Sequence, residues 1–193
     1  MTTDARIDGI DWYAVATVHK FDEDATGWLT ERLGRDPLFA DFRAAGINPY
    51  AVDTTERNLL TTAGLTRITS LITGAGGQAL TNTSGRIGVG NGAGTAAVGD
   101  TDLSAAAGTA NRYFQPFDAT YPTTAAGVIT AYATFASANG NFAWNEFGID
   151  IGAPTVTGGS TVNAVLLNHK TSIAQGTKTS GQSWTAQTTI TIA

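Results

Sequence analysis

From residue 129 onward the chain alternates apolar and polar side chains with a period of two, and this pattern limits its possible folds more than any other feature. Ile129, Ala131, Ala133 and Phe135 alternate with Thr130, Tyr132 and Thr134, and Phe147, Ile149 and Ile151 with Glu146, Gly148 and Asp150. Trp184, Ala186, Thr188, Ile190 and Ile192 alternate with Thr185, Gln187, Thr189 and Thr191. An extended strand sends successive side chains to opposite faces, so each stretch supplies one core row and one outer row. Residues 86–89, 112–117 and 162–169 are further candidates, separated by turns such as Asn139-Gly140-Asn141 and Gly158-Gly159-Ser160. Short strands at this spacing, with no helical pattern between them, predict an antiparallel β-sandwich or barrel. With 32 Thr, 31 Ala and 23 Gly among 193 residues, the composition also favours strands and turns over helices.

The first 60 residues are built differently. They carry 11 acidic and 6 basic residues, 17 of the chain's 27 charges, while the other 133 residues hold five of each sign. Asp24 can cap a short helix bearing Trp28, Leu29 and Leu33 and stopping at Gly34. Asp36 followed by Pro37 reads as the start of a second, which would carry Leu38, Phe39 and Phe42 and end at Gly46. A third, amphipathic helix is predicted over 56–73: Asp53 and Glu56 stand at capping-box spacing, ahead of Leu60, Ala63, Leu65, Ile68, Leu71 and Ile72. The expected organisation is a helical or extended docking arm over 1–55, then a mainly β, jelly-roll-like antiparallel sandwich over 56–193 led by that helix. Trp12, Tyr13, Phe21, Trp28, Phe39, Phe42 and Tyr50 give the arm more apolar surface than it can hide alone, and are the candidate partner-binding residues.

Composition also bounds function. A formal net charge of −5 with only 11 basic residues lacks the cationic density that a phosphate backbone needs, so no nucleic-acid partner is expected. The absence of cysteine removes disulfides, thiolate nucleophiles and Cys-ligated zinc. The N-terminus reads without a secretion signal, and no apolar run is long enough to span a membrane.

The motif search yields no catalytic, cofactor or metal set. Gly88, Gly90 and Ala93 fall at dinucleotide-loop spacing, but residues 95–102 do not continue as a helix, so the stretch reads as a flexible β-turn. Gly176-Thr177-Lys178-Thr179 has a P-loop flavour, yet glycine and lysine are not adjacent and Thr171 stands where the first glycine belongs. His169 reads as a polar strand terminus, and Asp100 and Asp102 as a solvated loop or cap. Glu146 and Asp150 share a strand face with Trp144, but at strand rise they stand about 13 Å apart, too far for a glycosidase pair. Glu146 is expected to be structural, bonded near the core or paired with an arginine.

One ordered set of segments resembles a known family. It runs through Glu56-Arg57-Asn58-Leu59-Leu60, Ala63-Gly64-Leu65, Arg86-Ile87-Gly88-Val89-Gly90-Asn91-Gly92 and Asp100-Thr101-Asp102-Leu103. It continues through Phe142-Ala143-Trp144-Asn145-Glu146-Phe147-Gly148-Ile149, Leu166-Leu167-Asn168-His169-Lys170 and Gly176-Thr177-Lys178-Thr179 to Trp184. Over residues 56–193 this resembles virion structural proteins of tailed bacteriophages, especially those of actinobacteria. The resemblance implies a non-enzymatic minor capsid or decoration protein, made in the bacterial cytoplasm. It would bind the major capsid protein on the assembled head, and the apolar face of helix 56–73 together with shell symmetry points to self-association as a trimer at a three-fold position. Two other readings remain open: a tail-tip or fibre-associated protein, and a carbohydrate-binding sandwich using Trp144 or Trp184 with Glu146, Asp150 or Asn168.

Overall fold

A computed structural model describes residues 12–152 and 164–192. The expected turn at Gly158-Gly159-Ser160, the start of the predicted 162–169 strand and the reading of the N-terminal residues lie outside them. The elements, in chain order, are β1 (Trp12–Phe21), α1 (Glu23–Leu33), α2 (Phe39–Ala44), β2 (Ala51–Glu56), β3 (Leu59–Leu60), α3 (Thr62–Thr73) and β4 (Gly85–Gly90). There follow β5 (Arg112–Pro116), β6 (Thr123–Ala125), β7 (Val128–Phe135), β8 (Glu146–Ile151), β9 (Val165–Thr171) and β10 (Ser183–Ile192).

The chain is mainly β. Two antiparallel five-stranded sheets are ordered β2-β1-β10-β7-β6 and β3-β9-β8-β4-β5, and one core lies between them. The first sheet sets small residues, Ala14 and Ala16 from β1, Ala186 from β10, Ala131 and Ala133 from β7, among the larger Val18, Phe135, Trp184 and Ile190. The second answers with bulk: Ile87 and Val89 from β4, Phe147, Ile149 and Ile151 from β8, Leu167 from β9. Small-against-large packing fills the space between layers, and it accounts for much of the alanine content. Trp144 and Trp184 meet edge to face at 5.0 Å inside it. Four pairs of consecutive strands, β1–β2, β4–β5, β6–β7 and β8–β9, are neighbours within one sheet, whereas the expected jelly roll would pass most successive strands between sheets.

The boundary expected at residue 55 falls inside the first sheet. Strand β1 is no part of a separate arm: all ten of its residues pair with β10, from Trp12 opposite Ile192 to Phe21 opposite Ser183, and β2 flanks its other side. Its period of two is masked because its inner row is Ala14, Ala16, Val18 and Lys20 while its outer row includes Tyr13, Val15 and Phe21. Burying Lys20 requires partners, and its ammonium bonds the Asp53 carboxylate and the Gln175 carbonyl while lying 4.6 Å over the Trp184 ring.

Each predicted helix is shifted. Asp22, two residues ahead of the expected cap, caps α1 through a 2.8 Å bond from the Ala25 N–H, and Gly34 ends it in the left-handed region. The second helix is the six-residue α2, whose Asp41 carboxylate bonds the Leu38 N–H and the Arg35 guanidinium. The third does not begin at 56: Asp53 and Glu56 belong to β2, and Thr61 caps α3 through the Gly64 N–H at 2.9 Å. The Thr61 hydroxyl also donates to Leu166, fixing the helix start to β9.

Candidate functional site

Among the described residues, the outer face of the second sheet gathers a dense group of titratable side chains. Residues 91–111 cover this face, which is why β4 and β8 are buried throughout. Glycines make the cover possible. A Cβ at Gly88 would stand 3.2 Å from the Leu103 side chain and one at Gly90 3.0 Å from Ala105 Cβ, both in the covering loop, besides meeting Phe114 at 2.5 Å and Glu146 at 2.3 Å on the neighbouring strands. Gly88 and Gly90 are therefore strand residues beneath a loop, which corrects the flexible-turn reading of that motif.

Under this cover Glu146, His169 and Asp100 form a chain. His169 Nε2 is 3.0 Å from Glu146 Oε2, and its Nδ1 is 2.6 Å from Asp100 Oδ2. Glu146 also accepts the Ser104 and Ala105 N–H groups at 2.7 Å each, and Asp100 accepts the Ala97 N–H at 2.8 Å. Strand β8 supplies the glutamate, β9 the histidine and the covering loop the aspartate. Burial by itself would depress the His169 pKa, but the hydrogen bonds and charges of Glu146 and Asp100 outweigh it and raise the group above its ordinary value. Burial would likewise raise Glu146 and Asp100, but His169 and the backbone N–H donors hold both below the usual carboxylate range. With a carboxylate on each nitrogen, the ring is an imidazolium donating twice.

Beside this chain Arg86 grips Asp150 with two 2.8 Å bonds, and Arg112 meets Asp102 at 2.9 Å. The Phe114 ring lies 5.7 Å from one guanidinium and 6.0 Å from the other. Burial pushes the Asp150 carboxyl up to about 6 against the pull of Arg86.

Chemically this cluster fastens a loop and does not expose a reactive group. A general base needs a free nitrogen within reach of a substrate proton, and both nitrogens of His169 are engaged beneath the surface. Glu146 and Asp150, weighed together as a carboxylate pair, bond to different cations. Among the described residues no group of His, Asp and Glu could hold a metal ion, and no helix is long and apolar enough to cross a membrane. The other phosphate-like motif is also structural: buried Lys178 bonds the Ala136 carbonyl at 2.9 Å and Asn141 Oδ1 at 2.7 Å, and burial brings its pKa down to about 8.

Of the two arrangements expected for Glu146, the hydrogen-bonded one near the core is present and the arginine pair is not; its charged partner is His169, which is no strand terminus but the centre of the chain. Asp100 caps a loop turn at the Ala97 N–H, as expected, and its carboxylate also bonds that histidine. A signal was present. In the charge-poor segment after residue 60, Glu146 and His169 are ionisable groups on strands, and the accompanying Gly88, Gly90 and Gly148 mark a face under close cover.

The seven expected anchors divide. Phe21 and Phe42 are buried and stacked on each other at 3.7 Å, closing a small second core with Leu29, so neither can meet a partner. Phe39 packs on that core and stacks on Tyr132 at 5.0 Å, and Trp12 packs on the edge of the main core. Tyr13, Trp28 and Tyr50 stay exposed, Trp28 at 50% and Tyr50 at 53%. Trp144 and Trp184 are sealed in the core, so no sugar can stack on either. Comparison with known protein families, curated proteins and solved structures finds no match.

Proposed function

We propose that the chain is a structural virion protein of a tailed bacteriophage, a decoration or minor capsid protein that binds the major capsid protein of the assembled head. The family-like order of segments over 56–193 supports this reading, as does a charged cluster spent on holding a loop. The observation that carries it is α3. This 12-residue helix presents Leu65 at 51% and Ile72 at 77% exposure, with Leu71 and nearby Val98 also open to solvent. Large aliphatic side chains left together on a surface mark a contact with another protein. The α3 face serves self-association, as a trimer at a three-fold position, and the exposed Trp28, Tyr50 and Tyr13 face the shell. A ligand of the assembled shell stabilises that state by mass action without any catalysis.

Co-sedimentation of the purified protein with head shells lacking it tests the reading. Wild-type protein pellets with shells, Trp28→Ala together with Tyr50→Ala stays in the supernatant, and Ile72→Asp lowers the self-associated fraction in free solution. Wild-type protein that never pellets with shells overturns the reading.

A further inference from the structure

The corner between the two sheets holds a cleft separate from the charged cluster. Its volume is about 540 Å³ and it is lined by Trp12, Tyr13, Arg57, Asn58, Leu59 and Leu60, within the range of roughly 300–1,000 Å³ common for small-ligand sites. The backbone shapes it. Arg57 adopts φ 63°, left-handed for a residue with a side chain, as the chain leaves β2 for β3, and the Ala14 carbonyl takes both the Arg57 and Asn58 N–H groups, at 2.9 and 3.4 Å.

Among the described residues, three of the seven unpaired buried side-chain polar atoms belong to residues of this corner. Asn58 is 4% exposed, and neither its Nδ2 nor its Oδ1 has a hydrogen-bond partner; the Trp12 Nε1 donor beside it also has none. Buried polar groups are nearly always paired, and each orphan is costly. Two donors and one acceptor therefore lie beneath a cleft whose walls also carry an aromatic ring and two leucines. Trp12 and Leu60 are only partly buried, and side-chain rotamer changes of the kind that would uncover the orphans are common in binding.

We propose that this cleft binds the pyranose ring of a neutral sugar. A sugar's neighbouring hydroxyls each donate and accept, so they can satisfy both ends of the Asn58 amide and take the Trp12 N–H. Its C–H face suits the Trp12 ring and the Leu60 side chain, which pack together on the edge of the main core. An anion would use the donors but leave Oδ1 unpaired. The rim carries one charge of each sign, Arg57 and the Glu56 carboxylate facing Tyr13, which gives no preference for an ionic ligand. The site stands on different residues from Trp144 and Trp184 and shares only Tyr13 with the proposed shell-facing surface.

The test is NMR titration of the full, ¹⁵N-labelled chain with methyl α-mannoside, methyl α-glucoside, methyl β-galactoside and N-acetylglucosamine. At least one sugar is expected to shift the Trp12 indole N–H and the Asn58 side-chain amide saturably at millimolar concentration. Asn58→Leu is expected to weaken that binding about tenfold or more while keeping or raising the melting temperature, because it removes two unpaired buried atoms. Trp12→Phe keeps the ring, loses the donor and is expected to weaken binding as well. The proposal is overturned by no saturable shift with any of the four sugars, or by binding that survives Asn58→Leu unchanged. A marked fall in melting temperature for Asn58→Leu also overturns it, because that result assigns the amide to a buried water.

Discussion

The Glu146 carboxylate and the His169 ring meet at 3.0 Å between adjacent strands β8 and β9, and the ring's other nitrogen reaches Asp100 at 2.6 Å. One imidazolium thus ties two strands to the loop that covers them. Removing the histidine leaves a buried carboxylate without its cation, which is far costlier than losing a surface ion pair. His169→Phe is expected to lower unfolding stability by about 3–5 kcal/mol in urea titration. A loss under about 1 kcal/mol would show that the ring's charge is not needed.

The same contacts set a pH dependence. His169 is raised in the fold, so its stabilisation is fully present below its ordinary pKa of 6.5 and is lost as pH rises through the higher folded value. Glu146 and Asp100 are lowered, so theirs is present above 4.5 and 3.8 respectively and is lost as pH falls through the lower folded values. The clamp is complete between 4.5 and 6.5 and weakens on either side. Urea midpoints measured at several pH values should fall above the folded His169 pKa in wild-type protein, and that alkaline step should be absent from His169→Gln. An unchanged step in the variant would assign it to another group.

Two helix glycines should answer the same substitution with opposite signs. Gly27 in α1 has open space where a Cβ would go, so Gly27→Ala is expected to stabilise by about 0.5–1 kcal/mol through helix propensity. Gly64 in α3 lies against β9, and a Cβ there would stand 2.3 Å from the Leu167 carbonyl oxygen. Gly64→Ala is expected to destabilise by about 1–3 kcal/mol despite the better propensity. Thermal melts of both variants check this, and a stabilised Gly64→Ala would show that α3 does not dock as described.

The arm aromatics separate in the same way. Phe42→Ala opens the small second core and is expected to cost about 3–5 kcal/mol, whereas exposed Trp28→Ala should change stability by less than about 0.5 kcal/mol. Equal losses in chemical denaturation would contradict the division between core and surface.

How legible the fold was depends on which side chains a strand turns inward. Strands β7, β8 and β10 were readable because one alternating row is apolar and the other is not. Strand β1 was not, since its buried row contains alanines and Lys20, and only β10 and β2 on either side reveal it as a sheet interior. The helix starts misled because Asp53 and Glu56 mimic a capping box while pairing in a strand opposite Val18 and Val15. The charged chain was half legible: Glu146 announced itself as a carboxylate with a structural task, but Asp100 comes 69 residues before His169, and no local pattern reports a partner at that distance.

Cryo-electron microscopy of virions from a phage whose genome carries this sequence tests the proposed virion role most directly. The expected result is density for the two-sheet body at symmetry-related positions on the outside of the head, with Trp28 and Tyr50 turned toward the major capsid protein. Particles that lack the chain, or hold it only on the tail, would contradict it.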